Sequence, residues 1–268
     1  MKFIADTHLH IYPVQETEKA LTTLMTRLHH LSPGAHAVAC LTERGDCDVF
    51  SWLSENPSGS VKERFSIETE QGSLLISDKT TPEAKLYLLP GQQIITQHKL
   101  EVLALNMSVR VEEGLEEVET IRRVLQLGGI PVVAWSPGKW FGRRGKIVRN
   151  LIDVFTPNQL ALGDTTLRAS IWPTPFIMRE AKHRGFQILC GSDPLPFPGE
   201  ETRCGTYASF IHIGEDVQSV SKAFQNLLNS TVQIWPIGQR GSIFVVAGRI
   251  FKNELIRRNL APRKWKST

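Results

Sequence analysis

No Cys-x-x-Cys pair occurs in this 268-residue chain, although it carries four cysteines, Cys40, Cys47, Cys190 and Cys204. That absence excludes the common zinc-ribbon and thiol-redox spacings, and it argues against a disulfide framework. Cys40 and Cys190 sit in the apolar runs "AVACL" and "FQILCG", so buried free thiols in a reducing compartment are expected. No apolar run approaches the roughly 20 residues needed to span a bilayer. The run after Lys2 stops at Asp6, too short for a signal peptide. A cytoplasmic chain without membrane contact is therefore expected. Repeats, low-complexity tracts and linkers are also missing, as are Walker and dinucleotide-binding glycine motifs. The net charge of +4 is too small by itself to argue for nucleic-acid binding.

What remains is an ordinary globular composition, 41% hydrophobic and 22% charged, long enough to bury a sizeable core. Strand and helix patterns alternate. "KFIAD" and "AHAVACL" read as strands flanking an amphipathic helix around Ala20, Leu21, Leu24, Met25 and Leu28. "CDVFSWLSE" reads as a short helix, and residues 66–105 are β-rich with turns at Gly72 and Pro90–Gly91. Further on, "IPVVAW", "LALGD", "FQILCGSD" and "YASFIHI" read as strands. "LEEVETIRRVLQLGG", "KIVRNLIDVF", "PFIMREAKHRG" and "DVQSVSKAFQNLLNS" read as helices. The alternation predicts a parallel sheet covered by helices in one domain over 1–268. The basic segment 249–268 is expected to be a solvent-facing charged helix, with an anionic partner as the alternative.

In α/β barrels reactive side chains gather at the carboxyl ends of strands. Here those ends carry His8 and His10, Glu43 and Asp46, Gln93, Trp135, Asp164 and Asp193. His8 and His10 lie two apart in "FIADTHLH", so an extended chain directs both imidazoles to one face. That supplies two metal ligands, or simply two histidines at a strand end. With Asp193 they would suffice for one metal with open positions. Glu43, Asp46, Glu101 and Asp164 are available as further oxygen donors, with Glu43 and Asp164 the candidates for catalytic work. The glycine-rich "WSPGKWFGRRGK" offers Lys139, Arg143 and Arg144 as anion donors, beside a helix start. Trp135 and Trp140 could stack on a ring, or the whole stretch could be a solvated loop over core tryptophans.

The strand ends resemble the PHP (polymerase and histidinol phosphatase) family. The His-x-His of "ADTHLH", the Pro-Gly of "LPGQQIITQHKLEVLAL", the Gly-Gly-Ile of "GGIPVVAWSPG" and the Gly-Ser-Asp of "GSDPL" follow that family's order over roughly residues 1–195. The resemblance implies a distorted (β/α)7 TIM-like barrel and metal-dependent phosphoester hydrolysis. It also implies His8, His10 and Asp193 as metal ligands. Other family positions differ. Arg44 falls in the family's second motif, Gln93 replaces a bridging Glu, and Trp135 and Leu195 replace histidines. Two closely held metals need an anion between them. The expectation is therefore one divalent transition metal (Zn, Mn or Fe), with Gln93 or Glu101 adding an oxygen. The chain would be a divergent bacterial member acting on a small phosphorylated molecule or nucleotide. The alternative is an inactive barrel that binds an anionic ligand or nucleic acid.

Overall fold

The computed structural model describes residues 1–12, 16–45, 47–214, 219–229 and 231–259. Asp46, and Arg263, Lys264 and Lys266 of the basic tail, lie outside the described residues. The strands in chain order are β1 (Lys2–Leu9), β2 (His36–Glu43), β3 (Phe65–Glu70), β4 (Ser73–Asp78), β5 (Thr81–Ile95), β6 (Glu101–Leu105), β7 (Ile130–Ala134), β8 (Ala161–Thr165), β9 (Ile188–Gly191), β10 (Tyr207–His212) and β11 (Gln233–Gly238). The α-helices are α1 (Thr17–Leu31), α2 (Val49–Glu55), α3 (Gly59–Arg64), α4 (Glu117–Gln126), α5 (Gly142–Val154), α6 (Phe176–His183), α7 (Val220–Gln225) and α8 (Ile243–Asn259). A 3-10 turn spans Glu200–Arg203.

The sheet runs β11-β10-β1-β2-β5-β6-β7-β8-β9, with the β3–β4 hairpin laid on β5. β1, β2 and β5 are parallel, as are β7, β8 and β9, but β6 is antiparallel to both its neighbours. The all-parallel expectation is corrected here. Only residues 96–100 join β5 to β6, too few for a helical crossover, so the chain must return antiparallel. The ring nearly closes where β9 meets β1. Asp193 N donates to His8 O at 2.9 Å, Thr7 Oγ1 to Cys190 O at 3.0 Å, and Ser192 N to the Asp6 carboxylate at 2.9 Å.

Strand alternation sorts the core into layers. Phe3, Ala5, Val38, Cys40, Leu89, Leu103, Val132, Ala161 and Leu189, drawn from seven strands, form one interior cluster. α7 belongs to it through Phe224, whose ring meets Phe3 edge-on at 5.9 Å. The intervening residues face outward. Ile4, Ala37 and Leu88 pack with α1 and α2, and Val133 and Leu162 pack with α5 and α6. β5 continues through Gln93 instead of ending before it. β11 and the first six residues of α8 were not among the expected elements.

All four cysteines are buried, and none is in a disulfide. Burial pushes the Cys190 thiol up to about 12, and the Cys40 and Cys204 thiols are raised by the same cause. In native protein a thiol reagent should therefore leave Cys40, Cys190 and Cys204 unlabelled over minutes, and should label them all in guanidinium. Fast native labelling at any of the three, located by mass spectrometry, would contradict this packing.

Candidate metal centre

Strand parity decides which rim residues can meet. Phe3 and Ala5 face the barrel interior, so strict alternation would send Thr7 and Leu9 inward next and turn both histidines away. Instead the β1–β2 register shifts by one residue between Asp6 and Leu9. That bulge flips the parity, and Leu9 joins the outer cluster with Ile4. His8 and His10 turn into the mouth of the barrel. There His8 Nε2 lies 3.0 Å from His10 Nε2, and each lies 3.1 Å from Gln93 Oε1. Asp193 Oδ1 completes the group at 3.7 Å from both nitrogens. All four residues are buried.

The donor set fits a metal. Ligands at about 2.0–2.2 Å from one ion stand roughly 2.8–3.6 Å apart for octahedral to tetrahedral angles, close to the spacings seen here. Lone pairs crowded this tightly repel unless a cation or shared protons lie among them. Burial, the neighbouring His8 and the Arg44 charge hold His10 well below the usual imidazole range, so its ring is neutral and ligand-competent at pH 7. His10 also bonds to the Thr42 backbone. Among the described residues the buried His8 Nδ1 has no hydrogen-bond partner to supply the outer bond that usually orients a ligating imidazole. Burial raises Asp193, opposed by the adjacent His8.

Asp193 is held in a left-handed conformation, φ 48°, uncommon for a residue with a side chain. Its amide donates to His8 O, and its carbonyl accepts from Arg249 Nη2 at 3.0 Å. On β1, two residues before His8, the buried Asp6 carboxylate accepts from Ser192 Oγ and from the Ser192 and Gly205 amides, and burial pushes it up to about 6. Gly191 lies flat against His8. A Cβ there would sit 2.7 Å from His8 Cα and closer to its amide and Cβ, where backbone cannot yield. Gly191→Ala should cost about 1–3 kcal/mol by overpacking and displace His8. Denaturant unfolding together with metal titration reads both effects, and unchanged stability would mean that β9 does not press on β1.

The same parity separates several sequence candidates from the cluster. Glu43 points outward from β2. Its carboxylate accepts from the Val49 and Phe50 amides at the start of α2 and pairs with Arg110 at 3.0 Å. Asp164 is buried against Arg168, which binds both its oxygens, and it accepts from Tyr207 Oη at 3.0 Å. Both carboxylates thus have their oxygens engaged by partners outside the cluster. Trp135 faces the outer layer among Val148, Leu151 and Leu162, and its ring meets Trp172 at 5.8 Å. It is no stacking platform in the mouth. Arg143 is exposed on the first turn of α5, and Arg144 donates to Gly138 O. The charges that act on the cluster come from Arg44 on His10, and from Glu101, Arg249 and Lys139 on Asp193. Lys139 and Glu101 pair with each other at 2.5 Å.

Three contributors escaped the sequence reading. Tyr12 stacks on His10 at 5.3 Å between ring centres, hydrogen-bonds Arg44, and extends the period-two spacing of His8 and His10. Asp6 closes the expected strand, where it reads only as the end of an apolar run. Arg249, assigned to a solvated tail, is 6% exposed and forms a bidentate pair with Glu200. The solvated-helix expectation fails at that residue because its turn of α8 packs on the loop after β9.

No protein-family model matches the sequence, and no curated protein does. Solved structures do match. PsfC from Pseudomonas syringae PB-5123 superposes with a TM-score of 0.57 at 12% identity, covering 97% of this chain and 99% of that one. A two-domain protein from Bacteroides vulgatus ATCC 8482, described as containing a predicted PHP-like metal-dependent phosphoesterase, gives 0.50 at 11% identity over 94% of this chain and 70% of that one. The lesion-specific endonuclease PfuEndoQ from Pyrococcus furiosus gives 0.48 at 11% identity over 87% and 58%. The seven-strand ring of β1, β2 and β5–β9 and the superpositions on PsfC and the Bacteroides vulgatus protein give the chain a PHP-like distorted barrel fold, at 11–12% identity.

Proposed function

We propose that the chain is a PHP-family hydrolase that binds a single divalent transition metal and cleaves a phosphoester in a small phosphorylated molecule or nucleotide. The observation carrying this reading is the convergence of His8 Nε2, His10 Nε2, Gln93 Oε1 and Asp193 Oδ1 within one buried mouth. A bound metal would lower the pKa of a ligated water and polarise a phosphoryl oxygen. His8, His10 and Asp193 would hold it, and Gln93 would add a neutral donor. Arg44 and Lys139, whose charges reach the cluster, would orient the phosphoryl group, and Tyr12 would keep the Arg44 guanidinium in place. Glu101, tied to Lys139, is the carboxylate left to move a proton.

With one carboxylate among four donors the site is charge-poor. Gln93→Glu restores an anion beside both imidazoles and should tighten Zn or Mn binding about tenfold or more. Competition with a chromogenic chelator measures this, and weaker binding would exclude Gln93 from the donor set. The activity itself is tested by hydrolysis of a panel of phosphomonoesters, phosphodiesters and nucleotides by metal-loaded protein. Turnover that survives His8→Ala with His10→Ala would overturn the reading.

A second reading, a barrel that binds an anion without cleaving it, is favoured by one observation. Glu43 and Asp164 are both engaged in structural bonds, which leaves few groups for proton transfer. Metal-loaded protein that binds phosphate yet turns over none of the panel would support it. A third, nucleic-acid binding, predicts affinity falling steeply with salt.

A further inference from the structure

Beside the metal cluster, behind the loop after β9, lies a cleft of about 550 Å³. Its walls come from the end of α1, the Arg203–Thr206 segment, the residues after β11 and the first turns of α8. Four arginines line it, Arg27, Arg203, Arg240 and Arg249, together with His30, and among the described residues no Asp or Glu does. Among the described residues only Arg249 has a carboxylate partner, the buried Glu200. Arg27 uses one nitrogen on the Thr202 and Cys204 carbonyls, and Arg240 makes long bonds of 3.4–3.5 Å to the carbonyls of residues 168–170. Arg203 makes no side-chain hydrogen bond or ion pair among the described residues. Burial and the Arg203 charge both lower Arg27's hold on its proton, so the two guanidinia lie close enough to repel. Three uncompensated positive charges around one concavity are unfavourable until an anion joins them. Arginine forks suit phosphate oxygens, and the N-terminus of the 17-residue α8 opens onto the same space.

We infer that this cleft is a second ligand site that takes a small polyanion bearing phosphate groups, separate from the metal cluster. The volume admits a ligand of nucleotide size, and the charge count calls for at least two negative charges. Arg249 forms a wall common to the two sites. Its guanidinium bonds Thr166 Oγ1, which lines the cleft, and the carbonyl of Asp193, which belongs to the cluster. The site stands whether or not a metal binds.

Titration calorimetry of chelator-treated protein with pyrophosphate, and with inorganic phosphate, tests this at low salt. Wild type should bind one equivalent of pyrophosphate more tightly than phosphate. Arg203→Gln should weaken it about tenfold, and Arg203→Gln with Arg240→Gln about a hundredfold. Arg203 has no side-chain bond to lose, so that variant should fold, as circular dichroism would verify. His8→Ala with His10→Ala should bind pyrophosphate as wild type does, whatever becomes of its metal affinity. Absence of binding, equal affinity in the arginine variants, or loss in the histidine variant would each overturn the inference. Tighter binding of a single-stranded 20-mer oligonucleotide than of pyrophosphate, lost in the same arginine variants, would overturn the small-ligand assignment.

Discussion

Protein stripped with chelator and reloaded should take up one equivalent of Zn or Mn, and His8→Ala with His10→Ala should take up none. The reason is geometric. Two imidazole nitrogens 3.0 Å apart, an amide oxygen 3.1 Å from each and a carboxylate oxygen at 3.7 Å would suit the donors of one ion. A second ion would need an anion between the two, and Gln93 supplies none. Because the histidines are buried, metal should also stabilise the fold. Free metal at a thousandfold excess over its dissociation constant adds about 4 kcal/mol. For a chain of this size that raises the melting temperature by roughly 8–16 °C. The double variant should show no such rise. Plasma emission analysis with calorimetric melting reads both quantities. Two or three tightly bound equivalents would show that the substituted positions still bind metal. No uptake under any loading would favour the non-catalytic barrel.

Arg249→Met should be the most damaging single change away from the cluster. It would leave Glu200, with a side chain 4% exposed, as a buried carboxylate without its cation. Breaking a buried pair in this way typically costs about 3–5 kcal/mol. The Asp193 carbonyl and Thr166 Oγ1 would lose a donor as well. Metal affinity should therefore fall with stability, since Asp193 keeps its left-handed backbone only while it is pinned on both sides. Arg249→Met combined with Glu200→Gln should recover part of the stability by removing the stranded charge, but not the metal affinity. Denaturant melts and chelator competition on the three variants separate the effects. A melting point unchanged in Arg249→Met would return that residue to the solvent-facing tail that its basic surroundings suggested.

Arg249 shows where local pattern misleads. The segment 249–268 is dense in Arg and Lys, and most such stretches are solvated. Only the packing of α8 on the loop after β9 sets this guanidinium against Glu200, 49 positions away in the chain. Glu43, Trp135 and Asp164 show a related failure. Each sits at a strand end, as the barrel rule requires, yet each meets partners outside the cluster: Glu43 the start of α2, Trp135 the residues of α5, and Asp164 Arg168 and Tyr207. A strand has two faces, and nothing local states which one lines the mouth.

The sequence by itself determined the alternating strands and helices and the pairing of His8 with His10 on one face. Those follow from short-range rules of periodicity and turn chemistry. It also placed the neutral Gln93, and no carboxylate, at the end of β5. The tertiary structure decided which face was inward. A one-residue bulge between Asp6 and Leu9 reversed the parity of β1, and it exists because β1 must pair with β2 while β9 presses Gly191 against His8. That contact joins residues more than 180 positions apart, so no window of sequence contains it. The antiparallel return of β6, the pinning of Asp193 and the arginine-lined cleft arise in the same way, from close approach between segments distant in the chain.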